Sequence, residues 1–471
     1  MTPDRVTGPL IGFYGDDFTG STDALEILAL AGLDPILVTD LDHAASLPEL
    51  RSSRAVGIAG LSRSRSPQWM RQNLPAYFAF LKSLDVQICH YKVCSTFDSA
   101  PHIGSIGCAI EIGREVYGER SVPVVVGVPD LGRYQVFGTL FARAGAEVFR
   151  IDRHPTMKAH PVTPMAEADL RRHLAQQTSL PIGLLDVIQL ASDNAERIFE
   201  RKITEENGIL FLDIIDDETS ARVGGLLWES LPHPAFVAGS SGVEYALARY
   251  WRKAGLLTEA TEQAKPAPMD QVIVVSGSCS PATAAQIAWA QERGFASFRL
   301  DTDRILDPQA GDYLHELAGD VRSAVASGRS VVVYSATGPT DHHLAAFAAS
   351  LKARGLSAES GNEALGGALA EILRRVLPET ACRRIVVAGG DTSGRIVSRL
   401  GVTSLRVRAP LVRGAPLCVA TAREPWADGL ELILKGGQVG GADFFETACA
   451  GGQALGQAHT SGSHERRKGQ S

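Results

Sequence analysis

Two adjacent carboxylates, Asp16 and Asp17, follow an apolar run at residues 10–14 and open the polar stretch Gly15-Asp16-Asp17-Phe18-Thr19-Gly20-Ser21-Thr22-Asp23. At the carboxyl end of a leading strand they occupy the crevice where open α/β sheets hold ligands, and a carboxylate there can orient or deprotonate a hydroxyl. The local alternative is that Asp17, Thr19 or Ser21 only caps the following helix. A second concentration is Lys92-Val93-Cys94-Ser95-Thr96-Phe97-Asp98-Ser99, where a strand-like run ends in a cation, two hydroxyls and a carboxylate. Between the two, Gly60-Leu61-Ser62-Arg63-Ser64-Arg65-Ser66 offers arginine, whose planar fork clamps carboxylates through parallel hydrogen bonds; Arg65 reads as solvated. Asp130 and Arg133 follow the apolar run 122–128 and are candidates for the same crevice. His154 and His160 have no carboxylate or cysteine at metal-site spacing, so they read as hydrogen-bonding residues, and the metal ligands stay unknown.

Far along the chain, the β-branched run 385–388 leads into Gly389-Gly390-Asp391-Thr392-Ser393-Gly394. Two glycines let backbone N–H groups approach a ligand, Thr392 and Ser393 are candidate caps, and a helix N-terminus favours an anion. Ser276-Gly277-Ser278-Cys279-Ser280-Pro281 and Lys435-Gly436-Gly437 follow other strand-like runs and suit phosphate, ribose or a planar ring. On spacing alone a plain turn of small residues stays open. The chain holds no GxxxxGK[ST], and the turns of the first half do not fit GxGxxG.

The elements that must carry these residues alternate as short apolar strands and helices, which predicts an α/β fold of two domains, each a mostly parallel sheet flanked by helices. A length of 471 residues, 45% hydrophobic, favours two cores over one. The polar, proline-containing stretch 258–270 is the expected linker between domains 1–257 and 271–450, and 451–471 has the composition of a disordered tail. Residues 153–165, irregular and with three prolines, are expected to cover the substrate. A net charge of −7 argues against a nucleic-acid surface. Seven scattered cysteines suit a reducing cytoplasm, and no uncharged apolar run approaches the roughly 20 residues that cross a bilayer.

With Gly239-Ser240-Ser241-Gly242 and Phe444-Phe445, these motifs and their order resemble the four-carbon acid sugar kinase family over nearly the whole chain. The resemblance implies ATP-dependent phosphorylation of a small sugar acid, with Mg²⁺, by an N-terminal substrate domain and a C-terminal nucleotide domain. It puts ATP near Ser278, Gly389, Gly390, Asp391, Thr392 and Gly437, and the acid sugar near Asp16, Asp17, Arg63 and Lys92; Ser95, Thr96 and Asp98, which follow Lys92 in this chain, are expected to line the same substrate site. Asp17 is the first choice of base and Asp16 the second. Many members carry a Lys-Ile-Asp-Ser-Thr-Leu-Arg-Gly type segment where this chain has Lys92 to Ser99. The changed polarity suits a 3-oxo-tetronate or a branched relative such as 3-oxo-isoapionate over plain threonate or erythronate. The interdomain cleft is expected to close on binding, and a homodimer is compatible with such a chain. The competing readings are a nucleotide-dependent oxidoreductase on a sugar acid and a non-catalytic sensor.

Overall fold

Apolar runs without polar alternation can be strands only if both faces are covered, and the runs of both halves form such strands. The computed structural model describes residues 8–44, 47–160, 162–205, 207–257 and 265–452. In the first half, Ile11–Gly15, Pro35–Val38, Ala55–Ala59, Ile88–Lys92, Val122–Val125, Ile182–Leu185, Ile209–Leu212 and Ala235–Gly239 all run parallel. In the second half Ile273–Ser276, Ala296–Arg299, Val331–Tyr334, Arg384–Ala388 and Glu431–Lys435 run parallel, and the hairpin Val402–Val412 with Ala415–Ala422 runs antiparallel.

The two-domain α/β architecture is as expected, but the two sheets are one. Val402–Val412 pairs antiparallel with Pro35–Val38, placing Ser404 opposite Val38, Leu405 opposite Leu37 and Arg406 opposite Ile36, so fifteen strands form a single sheet. Each half-sheet thereby satisfies an edge that would otherwise stay open. Thr39 extends the junction, donating from its N–H to the Thr403 carbonyl at 3.0 Å and from its hydroxyl to the Val402 carbonyl at 2.7 Å. The apolar core crosses the same boundary: Phe13, Leu25 and Leu28 share one cluster with Ile385, Ile396 and Leu405. The helix Phe18–Leu30 of the first half lies against Gly390–Arg399 of the second, where a side chain at Gly394 would start 3.1 Å from the Phe18 ring.

Arg133–Val136, Thr139–Ala144 and Glu147–Arg150 form a separate antiparallel sheet, which the pattern did not signal because the strands are short and charged. None of the described residues of 153–165 lines the central cavity. Met157 and Met165 are buried, and the Thr163 hydroxyl donates to Asp98 at 3.0 Å, so the segment packs against the Asp98 loop. Of the expected linker, 258–264 lies outside the described residues, as does the tail from 453.

The rest of the linker is tied to the second core by Arg384. Its fully buried guanidinium donates to Glu431 at 2.7 Å and to the carbonyls of Ala448 at 2.9 Å and Ala267 at 2.8 Å. Replacing Arg384 by Met leaves both carbonyls unpaired and the Glu431 carboxylate with only Arg408, 3.5 Å away, and is expected to cost about 3 kcal/mol of stability, measured by denaturant unfolding.

Candidate functional site

The helix Phe18–Leu30 starts at Asp17, whose backbone is extended and whose Oδ1 accepts from the Gly20 N–H at 2.8 Å. Asp17 thus caps the helix and also lines a cavity. Its Oδ2 accepts from the Thr19 hydroxyl and from Arg63 Nη1, each at 3.0 Å. Arg63 also forks onto Asp16 through Nε at 3.2 Å and Nη2 at 2.9 Å. Asp16 sits behind this fork, and burial, opposed by the Arg63 charge, pushes its pKa up to about 6. Lys92 ends the neighbouring strand with Nζ 3.8 Å from Asp23. Burial works against the Lys92 charge, yet Asp23, Asp17 and Asp16 outweigh it and hold the ammonium above its usual range. Gly20 leaves room for this cluster, since a Cβ there would lie 2.3 Å from Asp17 Oδ1 and 2.6 Å from Lys92 Nζ.

Ser95 reaches the same cavity, whereas Thr96 and Asp98 form its buried backing. Burial opposes the Asp98 carboxylate, but Arg63 and the hydroxyls of Thr96 (2.5 Å) and Thr163 (3.0 Å) overcome that and lower its pKa. Arg65 is not simply solvated: it lies 3.5 Å from Glu359 of the second half and 5.6 Å from the Trp69 ring. His154 and His160 each accept backbone N–H groups at Nδ1, as hydrogen-bonding residues do.

On the other side a cavity of about 570 Å³ brings Ser278, Gly389, Gly390, Thr392 and Gly437 together. Asp391 lies in the same helical turn. Gly389 has φ +126°, a conformation that L side chains rarely adopt, and the helix Gly390–Arg399 has no side-chain cap at its start. Contrary to expectation, Ser393 does not cap; its hydroxyl turns back to the Gly389 carbonyl at 2.8 Å. The first N–H groups of this helix are thus available to an anion, and a Cβ on Gly277 would come within 2.3 Å of the Thr392 hydroxyl. Such a cradle fits a nucleotide phosphate. The Gly437 carbonyl is fixed by the hydroxyls of Ser280 and of Thr283, the latter at 3.0 Å. Beneath it Lys435, whose pKa burial pushes down to about 8, donates to Thr283 at 3.1 Å.

Between the two lies a cavity of about 270 Å³, lined by Asp17, Asp23, Arg63 and Lys92 on one side and by Arg413 and Gly436 on the other. Gly436 faces this cavity and Gly437 the larger one, so a single turn separates them. Asp23, Ser241 and Arg413 were missed as site residues. For Asp23 the signal was in the sequence: it stands three residues after Gly20, so the two neighbour each other on the helix that Asp17 opens. Burial raises the Asp23 pKa, opposed by Lys92 and Ser241. No local pattern carried Arg413, which arrives through the unforeseen hairpin.

The Asp16 shift has a kinetic consequence. With the Asp16 pKa raised to about 6, protonation at lower pH takes from the Arg63 fork one of its two anionic partners and leaves Asp17, so kcat/KM is expected to rise with pH along an acid limb near 6 and then level off. Replacement of Asp16 by Asn should remove that limb in a pH–rate profile.

The family described as the sugar-binding N-terminal domain matches residues 11–247, and the nucleotide-binding C-terminal domain matches 273–445. The chain is 46% identical to a 3-oxo-isoapionate kinase from Paraburkholderia graminis, over 93% of each chain. It is 32% identical to a 3-oxo-tetronate kinase from Pseudomonas fluorescens, over 95% of this chain and 98% of that one. A solved structure from Salmonella typhimurium LT2 superposes with a TM-score of 0.75 at 26% identity, covering 94% of this chain and 99% of the other.

Proposed function

We propose that this chain, which belongs to the four-carbon acid sugar kinase family, transfers the γ-phosphoryl group of ATP to a hydroxyl of a small 3-oxo acid sugar. The observation that carries the reading is the adjacency of two unlike cavities, one lined by carboxylates and cations, the other by glycines and helix N–H groups, with Gly436 and Gly437 between them. Phosphoryl transfer asks chiefly for positioning and for stabilised charge, and these groups supply both.

In this reading Lys92 and the guanidinium of Arg63 hold the anionic sugar, and Asp17 faces its hydroxyl. Asp17 takes the hydroxyl proton as that oxygen bonds to the γ-phosphorus, and the bond to the β-phosphate oxygen breaks to release ADP. The backbone of Gly389, Gly390 and Gly437, with Ser278 and Thr392, holds the phosphates in place. Mg²⁺ bound with ATP supplies charge neutralisation on the phosphates. Asp16 does not face the cavity and acts by fixing Arg63.

The 3-oxo-isoapionate kinase relative favours a branched 3-oxo acid as substrate. Among the described residues no helix is long and apolar enough to cross a membrane, and all seven cysteines are free thiols, which favours the cytoplasm. The junction strands make hinge closure of the whole domains costly, so closure falls to loops. X-ray scattering is expected to show little change in radius of gyration with both ligands bound, and a clear compaction would restore the hinge. The reading itself is tested by coupled ADP release over 3-oxo-tetronates, apionate-derived 3-oxo acids, threonate and erythronate, with and without Mg²⁺. Silence across that panel, or NAD(P)H turnover with the same acids, overturns it.

A further inference from the structure

The cations of the first half are already committed. Arg63 makes three hydrogen bonds to Asp16 and Asp17, and Lys92 stands 3.8 Å from Asp23. Three carboxylates therefore face two cations before a substrate arrives, and an acid sugar brings a further negative charge. A pocket of that composition does not attract an anion by itself.

The balance changes at the turn of the hairpin from the nucleotide half. Arg413 and Gly414 line the sugar cavity opposite Asp17, Arg63 and Lys92. The turn is held by a built contact, not by chance packing: Glu26, only 2% exposed, accepts the Gly414 N–H at 2.7 Å. Arg413 Nη1 donates to the Asp130 carbonyl at 2.9 Å, and the Asp130 carboxylate lies 3.4 Å from Nη2. That carboxylate is shared with Arg249 at 2.7 Å, which pairs in turn with Asp217 at 2.7 Å, and the Arg413 side chain stays more than half exposed, so its fork can turn to a further anion. The Tyr245 ring, 5.9 Å from the guanidinium, backs it.

We propose that Arg413, contributed by the nucleotide half, is a substrate-binding residue that engages the carboxylate of the acid sugar and completes a sugar site which the first half alone does not form. The inference rests on the acid sugar reading above and adds that selectivity for a carboxylate is shared between the halves. Arginine suits the task because its fork can bond both oxygens of a carboxylate while one nitrogen keeps its Asp130 anchor.

The test compares wild type, Arg413→Gln and Arg413→Lys with the acid sugar of highest turnover in the ADP-release panel and with its methyl ester. The expected result for Arg413→Gln is a KM for the acid raised roughly 10- to 100-fold, a KM for the ester changed less than about twofold, and a KM for ATP unchanged. Arg413→Lys should recover part of the loss, and equal melting temperatures of the three proteins would exclude unfolding as the cause. An unchanged KM for the acid, equal losses for acid and ester, or a parallel rise in the KM for ATP overturns the role of Arg413 and leaves the kinase reading standing. Absence of ADP release by wild type with every acid overturns both.

Discussion

Replacing Asp17 by Asn is expected to lower kcat by roughly 10²-fold or more while leaving the melting temperature nearly unchanged. The substitution separates the two tasks of this side chain. Asparagine caps a helix about as well as aspartate, so its Oδ1 keeps the Gly20 N–H and the helix Phe18–Leu30 keeps its start. What disappears is the negative charge and the ability to take a proton. If Asp17 only capped the helix, Asp17→Asn would turn over normally, and that outcome would remove it from the chemistry. The competing carboxylate is Asp23, which also lines the cavity. Burial raises the Asp23 pKa, which brings it closer to the range of an effective base. Asp23→Asn is the necessary counterpart: its main effect is expected on the KM for the sugar, because it leaves Lys92 without its nearest anionic partner. A kcat loss larger in Asp23→Asn than in Asp17→Asn would transfer the base to Asp23.

The residues that chemistry marks by type and by adjacency were legible, and those that arrive through long-range topology were not. Asp16, Asp17, Arg63 and Lys92 each lie at or just after the end of a strand, so once the strands were read their convergence followed from the carboxyl-end rule of open parallel sheets. The same rule gathered Ser278, Gly389 and Gly437. Arg413 could not be found this way. It lies at the tip of an antiparallel hairpin, reaches the sugar cavity only because Val402–Val412 pairs with Pro35–Val38, and no local periodicity encodes that pairing across more than 360 residues. Asp98 shows a different limit. Its charge and position were plain, but its burial between Thr96 and Thr163 depends on how residues 153–165 fold, and proline-rich irregular segments carry little periodic signal.

Gly389→Val is expected to cut kcat/KM for ATP by about 10²-fold or more, through two effects that act on the same turn. Gly389 holds φ +126° at the junction of the strand Arg384–Ala388 and the helix Gly390–Arg399, and a β-branched residue there costs on the order of 1–3 kcal/mol in backbone strain. Even the first side-chain carbon would lie 3.2 Å from the Thr392 hydroxyl and 3.4 Å from the Ser278 nitrogen, inside the space assigned to the phosphates. Relief of either contact moves the helix start or the Ser278 turn, and the open N–H groups then no longer converge. The sugar site offers the internal control, because Asp17, Arg63, Lys92 and Arg413 all lie on elements other than the Gly389 turn: equilibrium binding of the acid sugar without ATP should stay within about twofold of wild type. Equal weakening of sugar and nucleotide would mean that Gly389 supports the shared core rather than the phosphate turn. Unchanged ATP kinetics would place the nucleotide elsewhere, and the cavity around Ser278 and Gly437 would lose its assignment.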